Sequence, residues 1–216
     1  MHDPTIASIR INGGRLCLDF VNTAAWESGE VFLEFLRCYQ DLLVWGGRKG
    51  LIGDAEIDRL ARAAGSATRD AEEVLRSAIT LRAALRVLLE PCRSREQVHA
   101  SLTVLNDALG RHAGEVRLEA TADGARPSGG SGLASWLIGP VAISASELLL
   151  STERARVKAC GGDGCHWLFL DASRGGTRRW CSMQSCGNRA KAKAHYDTHR
   201  ARGARRAGTR SAGASG

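Results

Sequence analysis

The sequence predicts a mainly helical body with a few short strands (an α+β domain, residues 1–153). A small four-cysteine module (154–202) and an unstructured basic tail (203–216) follow. Three observations lead there. Apolar residues recur every three or four positions from about 70 to 109, the period of helices with one buried face. Four of the seven cysteines fall into two Cys-x4-Cys pairs between 160 and 186. Charge also changes sign along the chain: residues 1–153 hold 16 Lys and Arg against 20 Asp and Glu (net −4), and residues 154–216 hold 14 against three (net +11).

The elements follow in order. Residues 9–23 alternate around Gly13-Gly14 and read as a short strand pair or a strand following a turn. From 31 to 49, Phe32, Phe35, Leu36, Tyr39, Leu42 and Leu43 recur at helical spacing, with a break near Gln40-Asp41 and a stop at Gly50. Asp54 is placed to cap a short helix through Ala64. The longest helix is expected over 70–90, with a stripe of Val74, Ala78, Leu81, Leu85, Leu88 and Leu89, stopped by Pro91. Ser94 and Gln97 form a capping box for the next helix, which should bury Val98, Leu102, Leu105 and Leu109. Val116–Glu119 and Leu133–Ile138 read as strands around a Gly/Ser-rich loop. Pro140 then suits the first turn of a helix reaching Leu150.

The cysteines carry the chemistry. Seven is an odd number, in a chain whose first residues lack the basic start and apolar run of an export signal, so metal binding takes precedence over a disulfide framework. Cys160–Cys165 and Cys181–Cys186 supply four soft ligands in two short-spaced pairs, the pattern of one structural Zn2+ per chain. His166 is a substitute ligand, and Gly161, Gly162 and Gly164 let the backbone wrap the ion. Between the pairs, Trp167–Asp171 reads as a strand, 173–177 as a turn and Arg178–Trp180 as the returning strand, with a helix from Arg189 to Arg202. Knuckle, hairpin and helix make a treble-clef-like order, and so small a core needs its metal. Cys17, Cys38 and Cys92, among apolar neighbours, read as small core hydrophobes.

Cys186-Gly187-Asn188-Arg189-Ala190-Lys191, with Phe169-Leu-Asp171, Ser173-Arg174 and Arg178-Arg-Trp-Cys181 before it, closely resembles the CGNR zinc finger. Leu16-Cys-Leu-Asp-Phe-Val-Asn-Thr23 and the helix holding Leu81-Arg82 resemble the ABATE-type domain that accompanies this finger in bacteria. The resemblance implies a stress-induced transcription regulator.

A basic module on a mildly acidic body is a footprint of nucleic-acid binding. The candidate contacts are Arg174, Arg178, Arg179, Arg189, Lys191, Lys193, Arg200 and Arg202. On a helix, Arg189, Lys193 and Arg200 share one face, and Lys191, His195 and Arg202 a neighbouring one. Arg178 and Arg179 alternate, so one of them should pack structurally, and Asn188 should cap the helix. Duplex DNA is the expected partner; an RNA- or protein-binding module is the alternative.

In the body, Asp19, Asn22 and Arg82 are polar residues set in apolar strings. They read either as an internal ion pair and caps or, with Trp136, as a pocket for a small-molecule effector. Trp26 and Trp45 read as core. A metal-dependent nuclease is disfavoured, because no His or acidic pair faces His166, and no triad or phosphate-loop fingerprint occurs, so no enzyme is expected. No apolar run is long enough to cross a membrane. The expectation is a cytoplasmic, nucleoid-associated protein, with self-assembly left open.

Overall fold

In the computed structural model the helical periodicity becomes a bundle around one central helix. The structure describes residues 5–27, 30–90, 94–122, 124–129 and 135–211, and the side chains of all these except 126–129, 135, 136 and 201–211. The helix α4 (Thr68–Leu89) packs on α5 (Arg95–His112). The Ser94 hydroxyl accepts the Gln97 amide and Gln97 returns the bond, as the capping box requires. In α5 Leu105 is buried and Val98 and Leu109 pack against the core as expected, while Leu102 is 38% exposed and Ser101 and Ala108 take the inward positions beside them. Pro91 lies outside the described residues.

Four expectations are corrected. Residues 16–21 form a short helix, α1 (Leu16–Val21), and the strand pair lies just beyond it: β1 (Ala24–Glu27) pairs antiparallel with β2 (Glu30–Glu34). Cys17, Leu18, Phe20 and Val21 are all buried, and a segment buried on every side carries no readable period. For the same reason 135–138 is not a strand but the start of α6 (Ser135–Leu150), with Pro140 inside the helix. Leu137, Ile138, Val141, Ala142, Ala145 and Leu148 are buried in α6, which packs on α1, α4 and α5. Val116 begins β3 (Val116–Thr121), whose partner is β4 (Gly124–Gly129) in the Gly/Ser-rich segment expected to be loop. Lastly, Phe32 belongs to β2, and the helix α2 (Tyr39–Arg48) starts only where the Asp41 carboxylate accepts the Arg37 and Cys38 amides, at 2.9 and 3.2 Å.

Gly50, at φ +68°, turns the chain out of α2 in a backbone conformation that side-chain-bearing residues rarely adopt. α3 (Asp54–Ser66) begins at Asp54, with Gly53 in the capping position. Trp26 and Trp45 are core, and Trp45 meets Phe20 at 5.0 Å between ring centroids.

The C-terminal module is built from β5 (Val157–Ala159) paired antiparallel with β6 (Leu168–Leu170), and from α7 (Asn188–Ser211). The hairpin therefore differs from the expected one: β6 pairs with the segment before the first cysteine pair, and Arg178–Trp180 forms no strand. The α7 backbone stays helical through Ser211, past the point where an unstructured tail was expected. Ala and Arg are both good helix formers. Leu168, Leu170 and Val157 belong to the same apolar core as Ile6, Phe20, Leu85 and Val141. Body and module thus share one interior. No described helix is long and apolar enough to cross a membrane.

Candidate metal centre and nucleic-acid interface

The β5–β6 ladder continues into the first cysteine knuckle, where the Cys160 amide donates to Trp167 O at 2.8 Å. The Cys165 amide then turns back to Gly162 O, and Gly164 (φ +65°) and His166 (φ +50°) complete the reversal. The second pair comes from Cys181 and from a π-helical turn, Met183–Gly187, that leads directly into α7. A Cβ on Gly162 would lie 2.9 Å from Cys186 Cβ, so the two knuckles close only over a glycine.

The four sulfurs of Cys160, Cys165, Cys181 and Cys186 all lie within 4.8 Å of one another, and the four residues are buried. Cys165 Sγ and Cys186 Sγ are each 3.7 Å from Cys181 Sγ. A tetrahedron with metal–sulfur bonds of about 2.3 Å has sulfur–sulfur edges of about 3.8 Å, so the spacing suits a tetrathiolate metal site. The electrostatics agree. Thiol hydrogen bonds from Cys165 and Cys181 push Cys160 far below the ordinary thiol range, and the same bonds push Cys165 and Cys181 up. A divalent cation bound among the four sulfurs would favour loss of their protons. His166 is not part of this cluster.

Charged neighbours hold the cluster in place. An Arg189 guanidinium N–H donates to Cys186 Sγ at 3.1 Å, offsetting negative charge at the beginning of α7. Arg178 is turned inward: its N–H groups donate to the carbonyls of Trp180 (2.9 Å), Leu170 (3.3 Å) and Cys181, and it lies 4.5 Å from the centre of the Phe169 ring. Of the two alternating arginines, Arg178 is thus the structural one, while Arg179 is exposed beside Trp180. Asp171, fully buried, accepts from Lys158 Nζ (2.6 Å), from the Ser173 amide and hydroxyl (3.0 and 2.5 Å) and from the Arg178 amide (3.0 Å). Lys158 and Ser173 hold its carboxyl well below the usual carboxylate range. This hub fixes the loop from 171 to 178, and its organising role was not read from the sequence.

The remaining expected site residues are distributed as follows. Arg174, Lys191, Lys193 and Arg200 are exposed, and Lys193 pairs with exposed Asp163. The side chain of Arg202 lies outside the described residues. Asn188 is a helical residue continuous with the π turn, not a cap, and its amide donates back to Gln184 O at 3.3 Å. Cys17 is buried and its thiol is pushed up to about 11, chiefly by burial. Cys38 is exposed at the start of α2, contrary to its reading as core, and Cys92 lies outside the described residues.

Asp19, Asn22 and Arg82 each make contacts of their own. Asp19 accepts the Gly13 amide at 2.6 Å and pairs with Lys49, not Arg82. Arg82 instead makes a two-point pair with Glu34 and donates to Thr23 Oγ1 at 3.1 Å. Asn22 serves the module: its Nδ2 donates to Leu168 O at 2.8 Å, and its Oδ1 accepts the Leu168 amide at 2.9 Å. The side chain of Trp136 lies outside the described residues. Each polar residue is thus part of a separate structural network. Nearby, the Leu170 amide donates to Gly13 O, Trp167 Nε1 to Ala24 O, and Arg86 to His166 O, so one edge of β6 is sealed by the body.

Comparison with known families accords with both halves. Residues 14–152 match the ABATE model, described as "Putative stress-induced transcription regulator". The chain belongs to the ABATE family. Residues 156–202 match the CGNR zinc finger, the segment whose four cysteines converge. The ABATE body thus carries a CGNR finger fastened to it through Asn22. No curated protein matches the chain.

Proposed function

We propose that this chain is a zinc-dependent, DNA-binding transcription regulator, acting at the nucleoid in the cytoplasm, with one Zn2+ held by Cys160, Cys165, Cys181 and Cys186. The observation that carries the reading is α7. It is 24 residues long, about 36 Å, and leaves the metal knuckle with every side chain from Lys191 to Arg200 exposed. A helix polar on all sides has no intramolecular face to bury, and this one belongs to a segment of net +11. A major groove admits a helix of this kind.

The roles divide by geometry. Lys193 and Arg200 share a face suited to base edges, and Lys191, with Arg174 and Arg179 beside the knuckle, suits phosphates. Arg202 extends the set along α7. Arg189 is tied to Cys186 and orients the helix on the metal. Arg178, consumed by carbonyls, braces the fold. No catalytic step belongs to this reading.

The test uses the full zinc-loaded chain against duplex DNA, single strands and RNA, with sequence selection on the preferred class. Duplex should win, with affinity falling steeply as salt rises. Lys193→Ala or Arg200→Ala should relax the selected sequence by about 1–3 kcal/mol per lost base contact. Equal affinity of the zinc-loaded and chelated chains for duplex, or a preference for RNA, refutes the assignment.

A further inference from the structure

A body of net −4 should repel a polyanion, yet the part of it that meets the finger is basic. A groove of about 880 Å³ runs between them, walled by Asn12, Arg15 and Lys49 on one side and by Arg178 and Gln184 on the other. Its continuation, about 360 Å³, adds Arg10 and Arg48. A further cavity of about 330 Å³ joins Arg10 to Arg189 at the beginning of α7. Arg10 therefore lines the surface on both sides, linking the groove to the helix proposed to read DNA.

The charges there are not balanced. Among the described residues lining these three cavities the one carboxylate is Asp19, already paired with Lys49. Arg15 pairs with Glu153. Arg178 and Arg189 lie against cysteine backbone and sulfur, where they offset a tetrathiolate centre. Arg10 and Arg48 are left with neutral partners only. Arg48 donates to Ile9 O at 2.8 Å and to Ile6 O, and Arg10 makes one bond to the Gln184 carboxamide at 3.3 Å. Both are exposed. A guanidinium held by one long bond to a neutral amide can turn to a phosphate oxygen and gain a charge-assisted pair.

We propose that this groove is a second phosphate-binding surface, in which Arg10 of the body, with the fixed charge of Arg48 beside it, clamps the backbone of the same duplex that α7 engages. The inference rests on the DNA-binding reading. It deepens that reading by giving the body a direct share in binding. Arg10 lies outside both family matches, so neither assigns it a role.

The decisive measurement is the salt dependence of duplex binding by the full zinc-loaded chain, read by fluorescence anisotropy. Arg10→Gln should lower the slope of log K against log salt by about 0.9 and weaken binding about 5–10-fold near 0.1 M salt, the effect of one lost phosphate contact. Arg62→Gln, on an exposed position of α3 outside the groove, makes the same change in net charge and should leave the slope alone. Arg10 is exposed and bonds one neutral side chain, so the thermal melt of Arg10→Gln should match the parent. Duplex binding that Arg10→Gln leaves unchanged, or that Arg62→Gln weakens equally, overturns this inference alone. Failure of the unsubstituted chain to bind duplex overturns the DNA-binding reading, and this one with it.

Discussion

Replacing Asn22 by Ala should loosen the finger from the body and weaken its hold on metal, although Asn22 ligates nothing. The residue is fully buried, and its carboxamide makes both available backbone bonds to Leu168, at 2.8 and 2.9 Å. Alanine leaves a buried N–H and a buried C=O without partners, each costing about 1–3 kcal/mol, for an expected loss of about 2–6 kcal/mol. The loss should not stay local. Leu168 is fully buried and Leu170 nearly so, in the core shared with α1, α4 and α6, so a displaced β6 uncovers body and finger together. Urea unfolding followed by helical circular dichroism, run in parallel with a colorimetric chelator, should show both transitions moving down together, with metal released at lower urea. Stripping the metal from the unsubstituted chain should likewise lower the melting temperature of the helices. A loss under 1 kcal/mol in Asn22→Ala, or apo protein whose helices melt where those of the loaded protein do, refutes the shared-core argument.

Two further outcomes follow from the metal knuckle. Purified chain should hold one zinc with four sulfurs at about 2.3 Å by X-ray absorption, and Cys186→Ser should lose it; retention with a nitrogen ligand would bring His166 back into the site. Asp171 makes a pH-dependent contribution. Its folded carboxyl is held below the usual range, so the stability it adds is present above the ordinary value near 3.9 and is lost as pH falls through the folded one. The difference in urea midpoint between the parent and Asp171→Asn should stay constant above about pH 5 and narrow only in strong acid. A gap that widens on acidification contradicts the Lys158–Asp171 pairing.

What the sequence made legible follows from which signals are local. The cysteine pairs and the Ser94–Gln97 box are short-range patterns with one physical solution each, and they survive unchanged in the structure. Helices with one wet face, such as α4, kept a readable period. Segments buried on all sides, α1 and the start of α6, did not, because residues there are buried whether the backbone is extended or helical, and no wet face marks the period. The partners of Asp19 and Arg82 were misassigned for another reason. Both residues are buried and paired, as their setting requires, but Lys49 and Glu34 are ordinary charged residues that nothing in one sequence marks as inward-facing. The same holds for β5: no residue in Val157-Lys-Ala159 announces a strand, and only the closed knuckle brings it to β6.

The joint between body and finger was the least legible feature and has the largest functional consequence. A modular reading treats the finger as a tethered DNA hook, with any signal in the body passed along a linker. The bonds at β6 contradict a linker: Gly13, Asn22, Ala24 and Arg86 each bond to residues 166–170 between the cysteine pairs. β6 is therefore at once a strand of the finger and a part of the body's core. A displacement of α1 would act directly on the residues between the two cysteine pairs, because Asn22 holds Leu168 by two hydrogen bonds. By the same linkage, a metal that binds only the folded chain would stabilise both halves, which Arg86 of α4 joins by its bond to His166 O. A regulator built this way needs no flexible relay. The helix proposed to read DNA is fixed to the body through the hydrogen bonds at β6.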